Sequence, residues 1–113
     1  MIKIREYTDG DRQSYLVVRI VGNYHSLYRD WLFKYPLELP NPEEDICMIA
    51  YENNMPVGLI EFKEDRNSID IRELVVLPEH RRTGVERILI SNLEMRAKER
   101  GIPLKRFNEE RIF

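Results

Sequence analysis

The segment Pro78-Glu79-His80-Arg81-Arg82-Thr83-Gly84-Val85-Glu86-Arg87 concentrates groups suited to binding an anion. It joins an apolar run, Leu74-Val75-Val76-Leu77, to a stretch of helical periodicity, so a strand is predicted to pass directly into a helix N-terminus. At such a junction the first backbone N–H groups lack intrahelical partners, the helix dipole is positive, and arginine side chains converge. A diphosphate suits this combination. Gly84 permits close approach of backbone to a ligand, and Arg81, Arg82 and Arg87 supply cations for phosphate oxygens.

Other groups compete for a chemical role. Glu73 precedes the turn on its strand and Glu61 lies one strand earlier; either can take a proton from an amine, directly or through water. Both also fit as the polar members of alternating strands. Cys47, in the apolar stretch ICMIAYE, reads as a small core residue, against the alternative of a nucleophile activated by His25 or His80, for which no local signature exists. The two histidines are far apart and make no metal-ligand pattern.

The elements that must position these groups follow from period. Residues 2–7 alternate as a half-buried strand, and Thr8-Asp9-Gly10-Asp11 offers a T-x-x-D helix start. The helix that follows is expected to bury Leu16, Val17, Ile20, Val21 and Tyr24, leaving Arg12, Gln13 and Arg19 to solvent. A second, short helix is expected after Ser26, carrying Leu27, Trp31 and Leu32. Pro36, Pro40 and Pro42 then enforce an extended loop.

From residue 46 the period becomes that of strands: ICMIAYE, VGLIEFKE after the turn ENNMP, and SIDIRELVVL after the turn KEDRN. Tight connections predict an antiparallel meander. Residues 84–100 are helical, stopped by Gly101 and Pro103, and PLKRF makes a last strand. The expected order is β-α-α-β-β-β-α-β in one α/β (α+β) domain spanning residues 1–113.

Composition narrows the class. At 113 residues with 42% apolar and 34% charged side chains, the chain is long enough to bury its own core. No apolar run reaches the roughly 20 residues of a membrane span, and MIKIREYTDG lacks a signal peptide's apolar stretch. A lone cysteine excludes an internal disulfide, so a cytoplasmic location is expected. A net charge of −2 gives no global drive toward nucleic acid. Binding of nucleic acid through Arg81, Arg82, Arg87, Lys105 and Arg106 is weakened by the lack of interleaved aromatic side chains.

The pattern L-V-V-x-P-x-x-R-R-x-G-V, after a three-strand meander and before an amphipathic helix, resembles the central motif of the GNAT acetyltransferases, Q/R-x-x-G-x-G/A. The resemblance covers residues 1–108, strand order and the two early helices included. It implies a mostly antiparallel sheet flanked by helices and acetyl-CoA as ligand, with the pantetheine arm along Leu74, Val75 and Val76, largely through backbone. It also implies a pyrophosphate loop of Arg81, Arg82, Thr83, Gly84, Val85, Glu86 and Arg87. The activity implied is acetyl transfer to a primary amine, on a small molecule or a protein.

Two departures from the family pattern have consequences. Glu86 occupies the motif's last small position, on the arc of Val85, Leu89, Leu93 and Ala97, so it faces inward or toward the ligand. There it gains about 0.3 to 1 kcal/mol from the dipole but repels a diphosphate, unless it turns outward or pairs with Arg82 or Arg87. The family also continues through a further helix and two strands that often supply a tyrosine acid. Tyr7, Tyr15, Tyr24, Tyr28, Tyr35 and Tyr51 all precede the motif here, and the last strand is expected to leave a sheet edge open to a second copy or a partner protein. Both departures favour the alternative function: a non-catalytic GNAT-fold binding or regulatory module.

Overall fold

The computed structural model describes residues 1–24, 39, 40, 43 and 45–105, with Asn23 and Tyr24 described by backbone alone. Five strands form one sheet in the order β1 (Ile2–Glu6), β2 (Ile46–Glu52), β3 (Met55–Glu64), β4 (Ile69–Val76) and β5 (Leu104–Lys105). The first four pair antiparallel, and β5 joins β4 in parallel. Helix α1 (Arg12–Tyr24) covers one face and α2 (Val85–Arg100) the other. The helix expected after Ser26, with His25, Leu27, Trp31 and Leu32, lies outside the described residues. So do the residues beyond Lys105 on which the open-edge expectation rests.

Local chemistry explains the joins. The Thr8 amide donates to Asp11 Oδ2 at 2.9 Å, while the Asp11 amide returns to the Thr8 carbonyl at 2.8 Å, closing the expected T-x-x-D start. Asn53 and Asn54 take positive φ of 50° and 67° in the β2–β3 turn, a conformation that asparagine tolerates better than most residues. At the opposite end, Asp65 accepts from the amides of Asn67 and Ser68 and reverses the chain into β4. Gly101, at φ 67°, donates to the Lys98 carbonyl and ends α2.

Two bulges shape the sheet. Val57 has no partner between the pairs Ala50–Gly58 and Tyr51–Pro56, and Arg72 has none between Glu61–Glu73 and Phe62–Ile71. An extra residue bends a strand, strengthens its twist and re-aims the side chains after it. Before the bulge Ile69 and Ile71 face α2; after it Leu74 and Val76 do, and Glu73 and Val75 turn to α1.

The face under α2 holds the larger apolar core, with Ile60, Phe62, Ile69, Leu89 and Leu93 wholly buried. Each such side chain contributes about 1.5 to 3 kcal/mol. The face under α1 combines Val18, Ile49, Leu59 and Val75 with buried polar groups. Here the structure corrects the expected orientation of α1. Val17, Ile20 and Val21 are 44%, 46% and 39% exposed, whereas Tyr15, Val18, Arg19 and Gly22 face the sheet. The reason is electrostatic and steric: the sheet presents Glu61 and Glu73, which draw Arg19 inward, and Gly22 packs where any side chain would strike Val75.

Candidate active site

Strand β4 runs into a 3-10 turn at Pro78–His80, where proline suits the first position, and then into α2. The described part of β5 pairs only with Ile69 and Asp70, so Leu74, Val75 and Val76 run beyond it along the outer side of β4. Gly84 caps α2 with φ 96°, and among the described residues no side chain caps the helix and nothing lies within 4 Å of where a Cβ would be. No described residue therefore blocks the approach to these amides. Arg82 also takes a positive φ, 67°, and is exposed with Arg87 at this lip.

The sequence motif thus comes together in space, with one reassignment. Arg81 is no free phosphate ligand: its Nε donates to the Val76 carbonyl at 3.2 Å and its Nη2 to the Gly22 carbonyl at 2.6 Å. It fastens the turn to β4 and α1. Thr83 is also engaged, its hydroxyl donating to the His80 carbonyl at 2.5 Å, while His80 Nδ1 lies 3.4 Å from Glu52 on β2. Glu86 is half-buried, as its helical position implied, and Val85 beside it is core. Neither Arg82 nor Arg87 is among the arginines that pair with described carboxylates, so neither neutralises Glu86.

Behind this lip, under α1, lies a polar row. Cys47, Glu61 and Glu73 oppose one another across β2, β3 and β4. Arg19 pairs with Glu73, and the Tyr15 hydroxyl donates to Glu61. Glu61 is 8% exposed. Burial pushes its carboxyl above the ordinary range, against the Tyr15 hydrogen bond and the charge of Arg19. Burial likewise raises the Cys47 thiol, with the Glu61 charge adding to it. A thiol held protonated is no nucleophile, so Cys47 is the core residue its setting suggested. Tyr15 is raised by the same two causes and stays neutral, a hydrogen-bond donor whose ring meets Tyr7 edge-on at 5.6 Å.

Neither Tyr15 nor Arg19 was picked out from sequence as a site residue. Arg19, placed on the solvent side by helical periodicity, carried no signal of burial. No group of three or more potential metal ligands occurs among the described residues.

A turn with two exposed arginines, at the end of a strand running free of its described neighbour, is matched by a family relationship. The family model described as "Acetyltransferase (GNAT) family" matches residues 8–109. The chain belongs to the GNAT acetyltransferase family. No curated protein sequence matches it. Solved GNAT-fold structures do, at identities that establish the fold alone. The ribosomal-protein-alanine N-acetyltransferase from Brucella melitensis biovar Abortus 2308 has a TM-score of 0.71 at 16% identity, covering 94% of this chain and 79% of that one. The PaiA N-acetyltransferase from Thermoplasma acidophilum, in complex with coenzyme A, has a TM-score of 0.71 at 20% identity, covering 90% and 75%. The aminoglycoside acetyltransferase AAC(6')-Iy, with a coenzyme A bisubstrate analogue, has a TM-score of 0.67 at 13% identity, covering 96% and 80%. The mixed sheet between two helices is the GNAT fold that the motif implied. No described helix is long and apolar enough to cross a membrane.

Proposed function

We propose that this protein is an acetyl-CoA-dependent N-acetyltransferase acting on a primary amine in the cytoplasm. The observation that carries this reading is the open outer side of β4 at Leu74–Val76, leading into the uncapped N-terminus of α2. A ligand arm can take backbone hydrogen bonds along such a strand, and a diphosphate can sit on amides with empty space above Gly84. Arg82 and Arg87, exposed and unpaired with described carboxylates, supply cations for its oxygens, and Arg81 keeps the turn in shape.

When bound, acetyl-CoA supplies a thioester carbonyl open to attack by nitrogen. The chain's part is to orient and to move protons. An N–H near Val75 polarises the carbonyl oxygen, an effect that grows as negative charge develops there. Glu73, with a side chain 32% exposed, is the accessible carboxylate of the pair and the proton acceptor in this reading. Glu61 is enclosed beneath α1 and acts behind it.

Glu86 favours the second reading, a GNAT-fold module that no longer carries out the chemistry. Half-buried in the first turn of α2 without a described ion-pair partner, it brings negative charge toward the place of the diphosphate. Calorimetric titration with acetyl-CoA separates the two. Micromolar binding, followed by acetylation of at least one amine in a substrate panel, supports the enzyme. No heat up to millimolar ligand, with binding gained in Glu86→Gly, supports the module.

A further inference from the structure

Arg19 occupies an unusual position for an arginine. It is 7% exposed, it lies between α1 and the sheet with its Cζ 5.8 Å from the Tyr15 ring centroid, and its Nε has no hydrogen-bond partner among the described residues. For packing alone an apolar side chain there would cost less, because a buried cation with an unsatisfied donor is unfavourable. What Arg19 does is face two carboxylates with one positive charge. Glu73 takes the ion pair, whereas Glu61, directly opposite in register, has the Tyr15 hydroxyl. Among the described residues, the other ionisable groups nearby are the Cys47 thiol beside Glu61 and, just before β2, Asp45, which lies 3.5 Å from Arg72.

We propose that Arg19 is a positioning residue for acetyl transfer: it fixes the Glu73 carboxylate in its ionised form beside the open end of β4, ready to accept the acceptor's proton. This rests on the acetyltransferase reading and on Glu73 as its base. An alkylammonium must lose one proton to free the lone pair that attacks. The N–H bond breaks and the Glu73 O–H bond forms. A second proton leaves the nitrogen as the new C–N bond forms and the thioester C–S bond breaks, and it ends on the departing sulfur as the thiol product. Arg19 favours the starting state of the first transfer, since a cation in contact keeps a carboxylate charged next to a second one. Glu61, kept closer to its neutral form by burial, limits the repulsion between the two.

The test compares the wild-type chain with Arg19→Met, Arg19→Gln and Arg19→Lys, all checked for folding by circular dichroism. Two readouts are taken: the pH profile of kcat/KM, and titration of the Glu73 carboxyl carbon by NMR. In Arg19→Met and Arg19→Gln the acidic limb and the carboxyl titration should both move upward by about 1 to 3 pH units. At pH values below both limbs kcat/KM should fall by the matching factor, about ten- to a thousandfold, while KM for acetyl-CoA stays constant, and Arg19→Lys should restore most of the limb. A limb or titration that does not move in the folded Met and Gln variants overturns the proposal. If the wild type acetylates nothing, the acetyltransferase reading fails by itself, and the carboxyl titration still decides whether Arg19 controls Glu73.

Discussion

The Arg81 side chain spans from the Val76 carbonyl to the Gly22 carbonyl, tying the last residue of β4 to α1 through the turn that leads into α2. A motif arginine that looks from sequence like a phosphate ligand is thus committed to holding the loop. Arg81→Ala should cost about 1 to 3 kcal/mol of stability, the worth of charged hydrogen bonds to two carbonyls. Lysine should recover little, because one ammonium cannot reproduce a fork that reaches two acceptors. Replacing Arg82 or Arg87 should leave the melting temperature unchanged and reduce the salt dependence of acetyl-CoA binding. Thermal denaturation and titration at two ionic strengths check both halves.

Gly22 meets Val75 so closely that a β-carbon would overlap the valine's methyl group. Gly22→Ala should destabilise the protein by about 1 to 3 kcal/mol through overpacking. The double variant Gly22→Ala with Val75→Ala should regain part of the loss. A denaturant melt of the two single variants and the double variant measures the coupling.

Asp11 accepts from the Thr8 amide, the Thr8 hydroxyl, the Tyr51 hydroxyl and Arg5. Burial opposes its ionisation, but these bonds outweigh it and hold the carboxyl below the usual range. A carboxylate with a depressed native pKa stabilises the fold fully above its unfolded value, near 3.9, and loses that contribution as pH falls through the native value. Asp11→Asn should cost about 1 to 3 kcal/mol at neutral pH and flatten the acid limb of stability below about pH 4. Melting temperature against pH shows it.

Glu61 has the opposite sign. Its carboxyl is raised in the fold, so the native state holds a proton more tightly than the unfolded chain and stability declines as pH rises past about 4.3, the unfolded value. Glu61→Gln still accepts from Tyr15 and cannot ionise. This variant should lose less stability than the wild type between pH 4 and pH 8, and should match it at the acid end.

How far these relationships were legible in the sequence varies with their origin. Strand and helix positions followed from period because the residues on each face are monotonous: the meander from Ile46 and the helix from Val85 fall within one or two residues of where alternation places them. The turn between β4 and α2 followed from local residue types. Helix α1 was misoriented because its buried face carries Tyr15, Arg19 and Gly22, and its apolar Val17, Ile20 and Val21 lie on the other side. Periodicity ranks side chains by polarity, and here a cross-strand carboxylate pair decided instead. The direction of Glu73 was hidden for a related reason. A trace existed: on β4 the residues facing α2 are Ile69, Ile71, Leu74 and Val76, and the step of three marks the bulge.

That bulge has a consequence for shape. Ile71 and Glu73 are paired with Phe62 and Glu61, which are neighbours along β3. Deleting Arg72 would close the gap with no change of partner, so every side chain of β4 would keep its side of the sheet while the strand lost its local bend. A deletion, ordinarily the harshest of edits in a central strand, would here remove the bend and the Arg72–Asp45 ion pair, and leave Glu61 and Glu73 opposite one another as they were.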